Sequence, residues 1–150
     1  MLAQTYDQPH ADPSQPVRLT LVNRKPASAR GIKILVIDDD PFVCMGLKIR
    51  LKANHYDPCF AHDAESALSA ALSETPDLII LDIGLPFRDG YFVMQSLNAF
   101  PELAGVPVIV LTARDGFTHK RRCHDAGAKR FFEKPVGNRR LLRAIRQLVE

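Results

Sequence analysis

Acidic side chains directly follow two short apolar runs in this chain, residues 34–37 and 78–81. The carboxylates concerned are Asp38, Asp39, Asp40 and Asp82. Short continuous apolar runs are typical of strands buried on both faces of a parallel sheet. Neighbouring carboxylates repel one another, so their accumulation indicates a divalent cation that prefers oxygen ligands. The alternative is that Asp40, directly before Pro41, only caps a helix and that the other carboxylates are solvated.

Two further predicted strands deliver other functional side chains to the same edge of the sheet. Residues 107–111 lead into Thr112 and Ala113, and residues 130–133 lead into Lys134. The carboxyl ends of parallel strands lie along one rim, where open α/β sheets bind their ligands. These residues, far apart in sequence, are therefore expected to converge with the carboxylates.

Carboxylates, a lysine and a hydroxyl are the groups that phosphoryl transfer to a carboxylate requires. Asp82 would be the nucleophile, and a divalent metal held by Asp39 and Asp82 would offset the repulsion between two anions. Lys134 and the Thr112 hydroxyl would stabilise the phosphoryl oxygens. Each strand end is a weak signal alone, and the combination is specific.

The elements that position these residues alternate between strand and helix. The predicted strands are residues 33–37, 56–61, 78–81, 107–111 and 130–133, and the predicted helices are 41–53, 64–72, 91–100, 118–126 and 138–149. Alternation of this kind predicts a parallel sheet with helices on both faces and right-handed crossovers. Pro58 lies in the second strand and cannot donate a ladder hydrogen bond, so we expect that strand at an edge.

Apolar periodicity predicts which side chains each helix buries. In the first helix the expected apolar face is Phe42, Met45, Leu47, Ile49 and Leu51. In the second helix the inward residues are expected to be Ala67, Leu68, Ala71 and Leu72. The last helix has leucines and an isoleucine on one face and arginines around the other.

Composition favours one compact domain, since the chain has 150 residues that are 46% hydrophobic and 25% charged. Residues 114–150 contain eleven Lys and Arg against four Asp and Glu, a balance of +7, which leaves −4 for the rest of a chain with net charge +3. One end of the domain is therefore basic. The three cysteines lack metal-binding spacing and fit a reducing compartment.

Residues 1–30 differ from the rest of the chain and are expected to form a proline-containing extension or linker, with the domain proper at 31–150. Within the extension, residues 17–22 alternate apolar and polar side chains, the period of a half-buried strand. No apolar stretch has membrane-spanning length and no secretory signal is visible, so we expect a cytoplasmic protein without membrane contact.

Residues 33–149 resemble the receiver domain of response regulators in two-component signalling. The matching stretches are residues 34–40, 82–90, 110–113 and 127–135. The resemblance implies a flavodoxin-like (βα)5 fold with strand order 2-1-3-4-5. It also implies that Asp82 is phosphorylated by a sensor histidine kinase or a histidine phosphotransfer protein. Mg²⁺ or Mn²⁺ would be held by Asp39, Asp82 and the backbone carbonyl of Gly84, with Asp38 acting through water.

The resemblance further implies a switch. Thr112 and its neighbour Ala113 would respond to the phosphoryl group together with Lys134, Phe131 would turn inward, and Pro135 is a candidate for a cis turn. This would alter the surface of helix 4, strand 5 and helix 5, which is basic in this sequence and fits an acidic protein target. The alternative is that the basic face is only solvated. Phe131 lacks a hydroxyl, so packing alone would hold its inward position.

Three functional hypotheses remain from the sequence. The first is a single-domain phosphoacceptor that transfers a phosphoryl group to itself and turns over no separate substrate; no output domain is expected after the last helix. The second is a receiver fragment of a larger hybrid kinase, with residues 1–30 as a linker. The third is a phosphorylation-independent adaptor. Nucleic-acid binding is not expected, because the basic region has no aromatic stacking platform.

Overall fold

The computed structural model describes residues 30–86, 89–113 and 116–150, with side chains between 116 and 150 described from residue 119 onward. The predicted strand at 17–22 lies outside the described residues. The strands are β1 (Lys33–Ile37), β2 (Asp57–Ala61), β3 (Leu78–Leu81), β4 (Val108–Thr112) and β5 (Arg130–Glu133). The helices are α1 (Pro41–Ala53), α2 (Ala64–Glu74), α3 (Gly90–Ala99), α4 (Gly116–Asp125) and α5 (Asn138–Val149).

All neighbouring strands pair in parallel, and their order is β2-β1-β3-β4-β5. The predicted fold class and strand order are therefore confirmed. Pro58 lies opposite Ile34 in β2, at an edge of the sheet, as expected of a residue without a backbone N–H. The described helices are too short or too polar to cross a bilayer.

The core has two layers, one on each face of the sheet. Alternate side chains of β1 divide between them: Leu35 and Ile37 face the layer covered by α2, α3 and α4, whereas Ile34 and Val36 face the layer under α1 and α5. The side chains of β1, β3 and β4 are almost completely buried. Burial on both faces explains why these strands have continuous apolar sequences.

The prediction for the apolar face of α1 is wrong for three of its residues. Phe42, Met45 and Ile49 are 84%, 63% and 66% exposed. The buried residues of α1 are Cys44, Leu47 and Leu51. Both sets have the spacing i, i+3, i+7, and they are offset by two residues, which places them on nearly opposite sides of a helix with 3.6 residues per turn. The sheet covers only one of these two apolar stripes.

The prediction for α2 is wrong at Leu72, which is 38% exposed. The stripe that packs against the core consists of Ala64, Ala67 and Ala71, with Leu68 partly buried beside it. Small side chains allow the helix to approach the sheet closely, and Leu72 lies one position past that stripe. The helix also continues two residues beyond the predicted end, to Glu74.

Candidate functional site

The candidate site lies where β1 and β3 end side by side. Asp82 donates its backbone N–H to the carbonyl of Ile37 at 2.9 Å, which fixes the two strand ends relative to each other. One carboxylate oxygen from each of Asp38, Asp39 and Asp82 lies within 4.8 Å of the others. Topology thus brings together acids that are more than forty positions apart in the sequence.

The four acids predicted for this edge have different environments. Asp38 and Asp82 are only 2% and 8% exposed, whereas Asp39 is exposed. Asp40 caps α1, and its carboxylate accepts hydrogen bonds from the backbone N–H groups of Phe42 and Val43. The capping interpretation of Asp40 is confirmed, but Asp38 and Asp82 are not merely solvated.

Lys134 is the counter-charge to the two buried carboxylates. Its ammonium donates to Asp38 Oδ2 at 2.6 Å and to Asp82 Oδ2 at 3.1 Å. Its backbone N–H donates to the carbonyl of Thr112 at 2.9 Å, which ties the end of β5 to the end of β4. The following Lys134–Pro135 peptide bond is cis. The ammonium therefore bridges the carboxylates of Asp38 and Asp82.

Burial and charge pairing act in opposite directions on these groups. Burial raises the pKa of Asp38, although the hydrogen bond from Lys134 opposes that shift. Burial also works against the charged form of Lys134, but its hydrogen bonds with Asp38 and Asp82 outweigh burial and raise its pKa. The pairing prevails at Lys134, because its one ammonium is hydrogen-bonded to two carboxylates.

Backbone donors fix the second oxygen of each buried carboxylate. The N–H of Asp40 donates to Asp38 Oδ1 at 2.9 Å, and the N–H of Gly84 donates to Asp82 Oδ1 at 2.8 Å. Each carboxylate therefore has one oxygen on a backbone amide and the other on Lys134. A carboxylate oxygen has two lone pairs, so both groups retain acceptor capacity. An all-oxygen donor set of this kind fits Mg²⁺ or Mn²⁺.

The remaining predicted residues lie around this centre. Thr112 is the last residue of β4 and is 1% exposed, and Ala113 beside it is exposed. Phe131 lies opposite Val110 in the strand register, is half-buried, and packs against the core layer that α2, α3 and α4 cover. Lys134, Thr112 and the acids are thus brought to one edge, whereas Phe131 lies deeper along β5.

Two residues that sequence reasoning did not place at the site contact the main chain of Asp38. The Cys44 thiol donates to the Asp38 carbonyl at 3.4 Å, and Nδ1 of His62 lies 3.0 Å from the same oxygen, so Nδ1 is the protonated nitrogen. Burial raises the pKa of Cys44 to about 11, which keeps the thiol protonated near neutral pH. His62 directly follows the edge strand β2, so the strand order could have placed it near the end of β1, but it does not indicate the contact with the Asp38 carbonyl.

Gly90 was also missed, and it determines how α3 begins beside the acids. A Cβ atom at this position would lie 2.6 Å from Ile83 Cα and 2.9 Å from the carbonyl oxygen of Asp82. Only glycine allows this approach, which the hydrogen bond from the Gly90 N–H to the Ile83 carbonyl at 3.0 Å completes. The Asp89-Gly90 pair, a cap followed by a glycine, was the available signal.

Comparison with known proteins agrees with this geometry. Residues 34–146 match the family model of the response regulator receiver domain. The response regulator MprA of Mycobacterium bovis is 36% identical over 118 residues, which cover 79% of this chain and 50% of that protein. The chain thus spans about half the length of the curated relatives it matches.

Two solved structures show the same architecture. A CheY-like response regulator receiver domain protein from Methanospirillum hungatei has a TM-score of 0.72 and 27% identity, with coverage of 77% of this chain and 91% of that chain. The receiver domain of a sensor histidine kinase from Pseudomonas aeruginosa has a TM-score of 0.73 and 28% identity, with coverage of 79% and 98%. That structure has a magnesium ion coordinated in its active-site cleft.

The chain belongs to the response regulator receiver domain family of two-component signalling. Members of this family are signalling proteins. The resemblance inferred from the strand-end residues is confirmed at the level of the family and the fold.

Proposed function

We propose that this protein is the phosphoacceptor of a two-component or phosphorelay pathway and that Asp82 is the residue phosphorylated. The observation that carries the proposal is the position of Lys134, within hydrogen-bonding distance of Asp38 and Asp82 beside an exposed third carboxylate, Asp39. Like-charged groups gathered at one buried point, with one cation between them, form a site prepared for an anionic ligand and a metal ion.

The proposed step transfers a phosphoryl group from a phosphohistidine. A carboxylate oxygen of Asp82 attacks phosphorus, a P–O bond forms, and the P–N bond to the imidazole breaks. The electron pair of that bond leaves with the imidazole nitrogen, which then takes a proton. Lys134 would exchange part of its interaction with Asp82 for a phosphoryl oxygen, and the Thr112 hydroxyl would donate to another. No separate substrate is turned over.

Asp39, Asp82 and the backbone carbonyl of Gly84 would hold Mg²⁺, with Asp38 orienting its water shell. When bound, the metal would supply positive charge that reduces the repulsion between the attacking carboxylate and the phosphoryl group. Asp39 suits a direct ligand role because it is exposed. Asp38 is less exposed than Asp82, 2% against 8%, and has the shorter contact with Lys134, 2.6 Å against 3.1 Å, which suits the indirect role.

The phosphodonor would be a sensor histidine kinase or a histidine phosphotransfer protein. Support comes from α1, which begins beside the acids and exposes Phe42, Met45 and Ile49. A shallow cleft of about 170 Å³ runs between α1 and the turn that contains Lys134 and Pro135. Exposed apolar groups of this size beside a reactive centre are typical of protein contact surfaces.

Phosphorylation would be read out on the face formed by α4, β5 and α5. Thr112 and Phe131 lie on adjacent strands, β4 and β5, and β5 connects the site to this face. The face is basic, so an acidic protein is the expected target. A second candidate for the function is a receiver domain within a larger hybrid kinase. It is supported by the similarity to receiver domains of histidine kinases. Both candidates use the same chemistry at Asp82.

The test is intact-protein mass spectrometry after incubation with Mg²⁺ and acetyl phosphate. We expect one phosphoryl adduct on the wild type and none on Asp82→Asn, which preserves the shape of the side chain but is not a nucleophile. Asp57→Asn, a change at an exposed carboxylate of β2, is the matched control and should be labelled normally. An adduct that persists on Asp82→Asn would place the nucleophile elsewhere. A wild type that binds Mg²⁺ but gains no adduct from acetyl phosphate or a phosphohistidine donor would favour the adaptor hypothesis.

A further inference from the structure

A second charged region lies between the edge strand β5 and the first turns of α5. It is a cleft of about 290 Å³, here called the arginine cleft. Its lining residues are Arg130, Phe132, Arg139, Arg140, Arg143, Ala144 and Gln147. Four of these seven carry a guanidinium group, and none carries a carboxylate. The cleft therefore concentrates positive charge in a small concave volume.

The charge of the arginine cleft is not neutralised within the described part of the chain. None of its four arginines forms an ion pair there. Arg130 donates to the Lys129 carbonyl at 2.8 Å and to Gln147 Oε1 at 3.4 Å, both neutral acceptors. The Arg140 guanidinium lies 5.3 Å from the centre of the Phe132 ring. The arginines are exposed, so their donors are available to a ligand.

The arginines of the cleft that lie at the start of α5 occupy positions that helix electrostatics disfavours. The amino-terminal end of a helix is electropositive and favours acidic residues. In α5 the first turn has no acidic residue, and the cap, Gly137, makes no side-chain hydrogen bond. Arg143 follows Arg139 and Arg140 by four and three positions, so like charges share one face. Departures from local preference of this kind are expected at functional sites.

We propose that the arginine cleft binds a compact polyphosphate group, such as that of a nucleoside triphosphate or of inorganic polyphosphate. Guanidinium groups have a planar fork of donors that matches phosphate oxygens. Several adjacent phosphates place three or four negative charges within one small volume, which matches a cleft lined by four arginines. An acidic protein segment carries one charge per side chain and spreads its charges along an extended surface, so it matches a concave cleft less well.

The arginine cleft is separate from the candidate site formed by Asp38, Asp39 and Asp82. It lies on the α1 and α5 side of the sheet, since Phe132 and Ala144 belong to that core layer, and its lining includes neither Lys134 nor an acid. The proposal therefore goes beyond the phosphoacceptor function and does not depend on it. Because the cleft is part of the face formed by α4, β5 and α5, a bound polyphosphate would compete with an acidic target on that face. Loss of phosphorylation at Asp82 should leave polyphosphate binding intact.

The test is isothermal titration calorimetry of the full chain with tripolyphosphate and with ATP, in EDTA and at physiological ionic strength. Arg139→Gln/Arg143→Gln should weaken binding by about tenfold or more, because charge-assisted hydrogen bonds are lost. Lys120→Gln/Arg121→Gln removes the same charge from exposed positions of α4, on the other face of the sheet, and should bind almost as the wild type does. Asp82→Asn should also bind normally.

Four results would overturn the proposal: no binding by the wild type, equal losses in both double variants, loss in Asp82→Asn, or tighter binding of a hexaglutamate peptide than of tripolyphosphate. The last result would assign the cleft to an acidic protein segment. Equal affinity for tripolyphosphate and ATP would identify the polyphosphate group as the recognised part. Tighter binding of ATP than of tripolyphosphate would identify a nucleotide as the ligand. Circular dichroism spectra of all variants establish that each is folded.

Discussion

In the described part of the chain, like charges gather both at the candidate site of Asp38, Asp39 and Asp82 and in the arginine cleft, and the two regions differ in how the repulsion is relieved. Strand β5 connects them, since it begins with Arg130 of the cleft and leads into Lys134 of the site. In the site, Asp38 and Asp82 are buried, and both receive hydrogen bonds from Lys134 and from backbone amides. In the cleft the arginines remain in contact with solvent. A buried charge requires a partner within the fold. An exposed charge is stabilised by water and can remain without an ion-pair partner until a ligand binds.

The largest expected effect on stability is that of Lys134→Ala. In metal-free buffer this change should lower the free energy of unfolding by about 3 kcal/mol, because it leaves two buried carboxylates without their cation. Urea denaturation measures the change. Lys129→Ala, at an exposed residue before β5, should alter stability by less than about 0.5 kcal/mol. Mg²⁺ should stabilise Lys134→Ala more than it stabilises the wild type, since the ion replaces part of the missing charge.

The pH dependence of the same ion pair has a defined sign. The pKa of Lys134 is raised in the folded protein by its hydrogen bonds with Asp38 and Asp82, which outweigh burial. Its contribution to stability is therefore fully present below the unfolded pKa, about 10.4, and is lost as the pH rises through the folded value. The stability difference between wild type and Lys134→Ala should be constant near neutral pH and shrink at alkaline pH. A difference that grows above pH 10 would contradict the pairing.

Asp39→Asn should have a smaller effect on stability and the opposite sign. It removes one of three clustered carboxylates, so the metal-free protein should become more stable by up to about 1 kcal/mol. The affinity for Mg²⁺ should fall by about tenfold or more, an effect of the size expected when a metal site loses a contributing group. Mg²⁺ titration followed by thermal denaturation measures both quantities, with Asp57→Asn as the control. Unchanged Mg²⁺ affinity would exclude Asp39 as a ligand.

Most of the fold could be predicted because its central strands are buried on both faces. Continuous apolar runs such as residues 78–81 have few alternatives, and Pro58 identified an edge strand. The helices were predicted less well in detail. In α1, Phe42 and Leu47 belong to two apolar stripes of the same spacing, and the sequence does not indicate which one the sheet covers. That choice depends on tertiary packing, as does the exposure of Leu72.

The site was predictable as far as strand ends determine it. Asp38, Asp82, Thr112 and Lys134 each follow or end a strand, so the parallel topology alone brings them together. Contacts made through the main chain could not be predicted in the same way. His62 reaches the carbonyl of Asp38, not its carboxylate, and no spacing of side chains signals such a contact. The arginine cleft was visible in sequence only as a charge excess, because its shape depends on how α5 packs against β5.

The smallest expected effect tests the comparison of the two regions most directly. Arg143→Gln removes one positive charge, as Lys134→Ala does, but from a place where like charges face each other. It should therefore raise the free energy of unfolding, by about 0.2–0.5 kcal/mol at low ionic strength, since glutamine and arginine have similar helix propensities. Added salt should screen the repulsion and abolish the gain. A salt-independent loss of stability would mean that the guanidinium contributes by packing, and that the arginine cleft is a structural feature of α5 and not a region under electrostatic strain.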